Sequence, residues 1–145
     1  MNTKADVSTA AVGTRRTSGR SAPADAGRPL ALAQGLYFAA TGIWPLVHMR
    51  SFEAVTGPKA DKWLVKTVGV LVSVIGGVLV SAAARRTLTA DTAALAVGSA
   101  AALGAIDTIY AAKKRIPPIY LADAVVEGAI VTGWVAALSS GRASE

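Results

Sequence analysis

Three acidic side chains, Asp107, Asp123 and Glu127, stand inside or at the edge of apolar stretches of the sequence. Asp123 and Glu127 are four residues apart, a spacing that places both on one face of a helix. A carboxyl group at membrane depth is costly and usually faces a partner or a wet cavity. The acids are therefore the residues best able to carry chemistry, and Glu127, predicted to lie deepest, is first among them.

Four apolar stretches must position these acids. Three of them carry no charge: residues 29–47, 67–84 and 92–106. The fourth, residues 119–138, contains Asp123 and Glu127 as its only charged residues. About 20 apolar residues in a helix cross the hydrocarbon core of a bilayer, whereas a helix of a soluble bundle needs a polar stripe. With 52% hydrophobic residues and a mean hydropathy of +0.45, the sequence predicts an all-α integral membrane protein, a four-helix up-down bundle.

The predicted domain organisation has three parts. Residues 1–28 are expected to be a disordered basic tail, because they contain too little aliphatic surface to offset the entropy of ordering them. An organellar transit peptide and a tail bound to an anionic membrane surface are the alternatives. Residues 140–145 are expected to form a short C-terminal tail after the membrane domain, 29–139. The four spans are predicted at approximately 29–48, 63–84, 91–112 and 119–138.

An up-down topology brings the polar groups of one membrane half together. The ends of spans one and three and the starts of spans two and four share one side, which gathers eight candidate ligand-binding residues: His48, Arg50, Lys66, Asp107, Tyr110, Tyr120, Asp123 and Glu127. Lys66 is the expected partner of the acids, with His48 and Arg50 as alternatives. The functional interpretation is a polar pocket for a small polar or amphipathic ligand, open toward the connections between spans one and two and between spans three and four, or a proton relay through Glu127. The structural interpretation is an internal ion-pair network that fixes helix register.

The segment between the first two spans is predicted to be a short interfacial helix. Trp44 and Trp63 flank it at positions that suit the headgroup boundary. Ser51 is expected to cap the helix and Gly57 to end it. Between spans three and four, Pro117 and Pro118 end one helix and allow the next to start.

Small residues indicate how the spans pack. Gly69, Ser73, Gly77 and Ser81 follow one another at intervals of four in the second span. Such a stripe lets helix backbones approach closely in lipid. It predicts a helix-packing face, used either within the chain or in a homodimer.

The composition excludes several other functions. The chain has no Cys and a single His, so a thiolate metal site, a disulfide framework and a bis-His haem within one chain are ruled out. No cofactor or metal is expected, and the net charge of +6 is dispersed without an aromatic-basic module for nucleic acid. Counted near the spans with the N-terminus inside, seven Lys and Arg residues lie on the inner side (Arg15, Arg16, Arg20, Arg28, Arg85, Arg86 and Arg142) and six on the outer side (Arg50, Lys59, Lys62, Lys113, Lys114 and Arg115). The positive-inside rule barely separates the two orientations on this count, and cytoplasmic termini are the expectation adopted.

Two stretches carry a resemblance to a known group of proteins: GLYFAATGIWPLVHMRSFEAVTGPKADKWLVKTVGVL and GAIDTIYAAKKRIPPIYLADAVVEGAIVTGW. With the motifs WPLVHMRSFEAVTGPK and IPPIYLADAVVE, they resemble a family of small, uncharacterised bacterial four-span membrane proteins over residues 30–138. The resemblance implies a bacterial inner-membrane location and a four-helix fold, and it assigns no catalytic residues.

Three functions are compatible with these features. The first is an accessory or structural membrane protein that acts by helix–helix association with a second copy or another membrane protein. The second is a small-ligand binding or transport module with a pocket around Asp107, Asp123 and Glu127. The third is a membrane isomerase that uses Glu127 as general acid or base, although a non-enzymatic role is favoured.

Overall fold

The protein is an all-α helical bundle. The computed structural model describes residues 22–142, with side chains described for residues 26–140. Five helices follow one another in this range: α1 (Ala22–Val47), α2 (Met49–Thr56), α3 (Lys62–Arg85), α4 (Ala90–Ala112) and α5 (Ile119–Arg142). Four stretches are long and apolar enough to cross a membrane: Ala26–Val47, Lys62–Arg85, Ala90–Ala112 and Ile119–Ser140. Length and composition therefore define a multi-pass membrane protein.

Helix α1 begins earlier than the first span predicted from the sequence. It starts at Ala22, so residues 22–28, expected in the tail, form its first turns. Pro29 lies inside this helix. The rest of the predicted tail, residues 1–21, lies outside the described residues, as do residues 143–145 of the short C-terminal segment.

The long helices pack as two pairs that α1 joins. Helix α1 packs along α3, α4 packs along α5, and α1 also packs against α5. Helices α3 and α4 touch each other only over a short stretch, although they are neighbours in sequence. The bundle is therefore closed on one flank and open on the flank between α3 and α4.

Glycines bring the backbones of α1 and α3 into direct contact. A Cβ atom built on Gly76 would lie 2.6 Å from the backbone oxygen of Gly35, and one built on Gly69 would lie 2.6 Å from that of Gly42. No side chain fits at such distances, so the two helices approach as closely as their backbones allow. Gly35 and Gly42, like Gly69 and Gly76, are seven residues apart, the spacing of two helical turns.

The predicted small-residue stripe of α3 is divided between two environments. Gly69 is buried, and Ser73 donates a hydrogen bond to the Gly69 oxygen at 2.7 Å on the side that faces α1. Gly77 has open space where a Cβ would stand, and Ser81 is exposed. An interval of seven therefore describes the contact with α1 better than the interval of four.

The core lies in the half of the bundle that contains the α3–α4 connection. Its buried residues are Ala31, Leu79, Ala83, Ala93, Ala96 and Trp134. The Trp134 indole donates a hydrogen bond to Gln34 Oε1 at 2.9 Å, and Gln34 Nε2 donates to the Ala96 oxygen at 2.8 Å. Arg28 Nε donates to the Ala83 oxygen at 2.9 Å near the end of α3. These bonds tie α1 to the three other long helices in this half.

Helix α2 forms a folded connection between α1 and α3. His48 occupies its N-cap, and Nδ1 of His48 accepts a hydrogen bond from the Ser51 backbone N–H at 3.2 Å. Ser51, which the sequence predicts as the cap, lies inside the helix and accepts a bond from the Trp44 indole at 2.8 Å. Gly57 ends the helix with a φ of 82°, a left-handed value that favours glycine.

A charged pair fixes the chain after α2. Glu53 accepts hydrogen bonds from Lys62 Nζ at 2.9 Å and from the Lys59 backbone N–H at 3.0 Å. The Lys62 hydrogen bond, followed by that of Lys59, lowers the pKa of the Glu53 carboxyl. The carboxylate therefore holds the start of α3 against the end of α2.

Candidate ligand site

A cavity of about 620 Å³ opens in the half of the bundle opposite the core. Its walls include apolar side chains of α3 and α4, among them Leu64, Val68, Val72, Leu103 and Ile106. Phe38 of α1, fully buried, forms part of its rear wall. The cavity exists because α3 and α4 diverge here, while α1 and α5 remain packed behind them.

Acidic side chains from α4 and α5 line this cavity. Asp107 is 7% exposed and Glu127 is 1% exposed, although both are charged residue types. The Oε2 atom of Glu127 is buried and has no hydrogen-bond partner. Such an atom costs free energy unless a ligand or water satisfies it, which makes Glu127 the chemically most exceptional group of the described residues.

A glycine makes the position of Glu127 possible. A Cβ built on Gly104 of α4 would lie 3.0 Å from the Glu127 Cβ and 3.7 Å from the Ala124 oxygen. The missing side chain lets α4 and α5 approach closely at this level. The two helices therefore carry Asp107 and Glu127 to the same wall of the cavity.

A tyrosine joins one of the two aspartates to α1. The Tyr37 hydroxyl donates a hydrogen bond to Oδ1 of Asp123, and Asp107 lines the same cavity from α4. One face of the site is thus a polar row of Tyr37, Asp123 and Asp107, with Glu127 one helical turn beyond Asp123. The residues of this row come from three different helices.

The cations expected beside the acids lie elsewhere. Lys66, Arg50 and His48 are exposed, and none of the three lines the cavity. Lys59 lines it instead, from the connection between α2 and α3. Its Nζ donates to the Thr56 oxygen at 2.7 Å and stands 4.8 Å from the centre of the Tyr120 ring, and it forms no ion pair with the acids.

The acids have no ionic partner within the described part of the chain. Among residues 26–140 the only ion pair between a basic and an acidic side chain is Lys62 with Glu53. In that same range, no group of three His, Cys, Asp or Glu side chains is arranged to hold a metal ion. The charge of the acids is therefore left for protons, water or a ligand to balance.

Of the eight candidate ligand-binding residues, the structure brings five to the cavity: Asp107, Tyr110, Tyr120, Asp123 and Glu127. Sequence reasoning missed Tyr37 and Lys59. The signal for Tyr37 is its position four residues before Thr41 in an otherwise apolar run, a spacing that puts two hydroxyl groups on one helix face. Lys59 carries no such signal, because its location depends on how the connection after α2 folds.

A smaller cavity of about 270 Å³ lies beneath α2, between α1 and α5. It shares Tyr37, Thr41, Phe52, Tyr120 and Asp123 with the larger cavity. The hydrogen-bonded pair of Tyr37 and Asp123 therefore belongs to the wall between the two spaces.

Fold and site together define a class: a four-span helical membrane protein with an acidic, largely apolar-walled cavity in one half of its bundle. Comparisons with family models, with curated proteins and with solved structures find no match for the chain. Its function must therefore be inferred from the geometry of this cavity.

Proposed function

We propose that the protein is a binding or transport module for a small lipophilic ligand, which occupies the cavity between α3 and α4. The observation that carries this proposal is the buried, unpartnered Glu127 Oε2 in the wall of a 620 Å³ space. Ligand sites are typically apolar cavities of about 300–1,000 Å³ with a few polar groups that orient the ligand. A purely structural acid would instead have a partner among its neighbours.

A pair of tryptophan substitutions tests the proposal. Val72 of α3 lines the cavity, whereas Val74, two residues further along, is 59% exposed and does not line it. Thermal stability of the full chain in detergent is measured with a panel of lipids, quinones and lipophilic metabolites. Compounds that stabilise the wild type and the Val74→Trp variant are expected to lose their effect in Val72→Trp. Equal stabilisation of both variants, or the absence of any stabilising compound, would contradict the proposal.

An accessory role through helix–helix association is the second candidate. It is favoured by Gly77 and Ser81, which leave a small-residue surface of α3 uncovered within the described chain. Such surfaces let another helix approach closely in lipid. Gly77→Leu is then expected to abolish a complex with a second copy or with another membrane protein, as measured by crosslinking in the native membrane, and to leave ligand binding intact.

We also propose that the protein resides in a bacterial inner membrane with both termini in the cytoplasm. The motifs WPLVHMRSFEAVTGPK and IPPIYLADAVVE support the location, and an excess of one Lys or Arg near the spans on the inner side favours the orientation. Because the chain has no Cys, single cysteines introduced at Lys114 and at Thr87 report the two sides without background. Labelling of intact cells by an impermeant maleimide is expected at position 114 and not at position 87.

A further inference from the structure

The Glu127 carboxyl has no basic partner among the described residues. The side chain is 1% exposed, and its Oε2 atom has no hydrogen-bond partner. Asp107 and Asp123 line the same cavity, so three carboxyl groups share one space. Three carboxyl groups without a cation among them favour a positively charged occupant.

Lys59 does not fill this role. Its ammonium group donates to the Thr56 oxygen and lies over the Tyr120 ring. Both contacts hold it at the loop end of the cavity, and no hydrogen bond or ion pair joins it to the three acids in the described structure. The cavity therefore has a cationic rim and a separate acidic wall.

The remaining walls specify the rest of the ligand. Leu64, Val68 and Ile106, at the margins of the cavity, are 48%, 44% and 52% exposed. Within a bilayer these exposed apolar side chains of α3 and α4 face lipid tails, since both helices are candidate spans. A molecule already dissolved in the bilayer can thus reach the cavity sideways between the two helices.

From these observations we infer that the ligand is a lipophilic amine or another lipophilic cation. Its positive group contacts Glu127 and Asp107, and its apolar body lies between α3 and α4. This inference rests on the proposed function and names the ligand class of the same site. The positive group is the cationic partner that Glu127, Asp107 and Asp123 do not have within the described chain. The apolar body covers the cavity walls that α3 and α4 leave unpacked.

Three matched probes test the charge requirement: biphenylbutylamine, biphenylbutanol and biphenylbutyric acid. Equilibrium binding of each labelled probe is measured on the full chain in nanodiscs of neutral phosphatidylcholine, with empty nanodiscs subtracted. The variants are Glu127→Gln, which keeps the shape of the side chain, and Asp107→Asn. Asp61→Asn is the control, because Asp61 is exposed and makes no side-chain cap hydrogen bond.

The amine is expected to bind the wild type about tenfold or more tightly than the alcohol, since a charge-assisted contact replaces a neutral one. Glu127→Gln should remove this preference while the alcohol binds as before, and Asp61→Asn should change nothing. Equal binding of amine and alcohol would overturn the cationic ligand class while the proposed cavity function stands. Binding of none of the probes above empty nanodiscs would count against both.

A second variant protects the test against misfolding. If Glu127→Gln alters thermal stability, Asp107→Asn supplies the same loss of charge on α4 rather than α5. Loss of the amine preference in both variants, with alcohol binding retained, supports the inference. Retention of the preference in a folded Asp107→Asn and a folded Glu127→Gln protein contradicts it.

Discussion

The Tyr37 hydroxyl donates a hydrogen bond to the Asp123 carboxylate, which lies 86 residues further along the chain. This contact joins α1 to α5 in the half of the bundle where α3 and α4 are apart. It also belongs to the wall between the large cavity and the smaller one beneath α2. One bond thus links the packing of the bundle to the shape of the candidate site.

Removing this hydroxyl should weaken the bundle. Tyr37→Phe is expected to lower the free energy of unfolding by about 0.6 to 1.5 kcal/mol, because Asp123 loses its donor on α1. Unfolding by sodium dodecyl sulfate from a mild detergent measures the change. Tyr110→Phe is the matched control, since Tyr110 is 47% exposed. Equal losses in the two variants would show that the bond to Asp123 contributes nothing.

The contact between α1 and α3 should be intolerant of a single methyl group. Gly76→Ala places a Cβ 2.6 Å from both the Ala39 nitrogen and the Gly35 oxygen, so the helices must separate. We expect a loss of about 1–3 kcal/mol, the usual cost of overpacking. Gly77→Ala, one residue away, has open space at the new Cβ and should be neutral or slightly stabilising. Thermal unfolding of the two variants in detergent gives the comparison, and a stable Gly76→Ala protein would refute the close approach.

The buried amide of Gln34 should be coupled energetically to Trp134. Gln34→Leu leaves the Trp134 indole N–H and the Ala96 oxygen without this partner, at a cost of about 1–3 kcal/mol. Trp134→Phe removes the indole donor. A double-mutant cycle on the unfolding free energy is expected to give a coupling of about 0.5–1.5 kcal/mol. Additive losses would mean that the two side chains act independently.

The connection after α2 should depend on pH through Glu53. Its folded-state pKa is lowered from the ordinary value of 4.5 by Lys62 and Lys59. The carboxylate therefore stabilises the connection fully above the ordinary glutamate range, and this contribution is lost as the pH falls through the folded-state pKa. Lys62→Met should move the pKa of Glu53 back up toward 4.5, as followed by carbon NMR of the carboxyl group. Lys66→Met, at an exposed position on the same helix, should leave it unchanged.

Much of the architecture was predictable because the length of an apolar run indicates a membrane span. A run of about 20 such residues must be helical in lipid, where every backbone group needs an internal partner. Four runs therefore predicted four long helices, and the turn residues between Trp44 and Trp63 predicted a short helix there. The start of α2 differed from the prediction, since His48 rather than Ser51 caps it. Both residue types can accept a bond from a backbone N–H, so composition alone did not choose between them.

The sequence by itself determined which residues are apolar enough to span a bilayer and which acids fall within the spans. Only the tertiary structure decided how each helix is rotated and how far each pair is separated. Rotation placed Tyr37 against Asp123 and left Lys66 exposed, and the contact of Gly76 with α1 set an interval of seven rather than four. Separation of α3 from α4 created the cavity beside Glu127. An apolar helix has no polar face to orient it toward water, so its rotation follows from contacts with other helices.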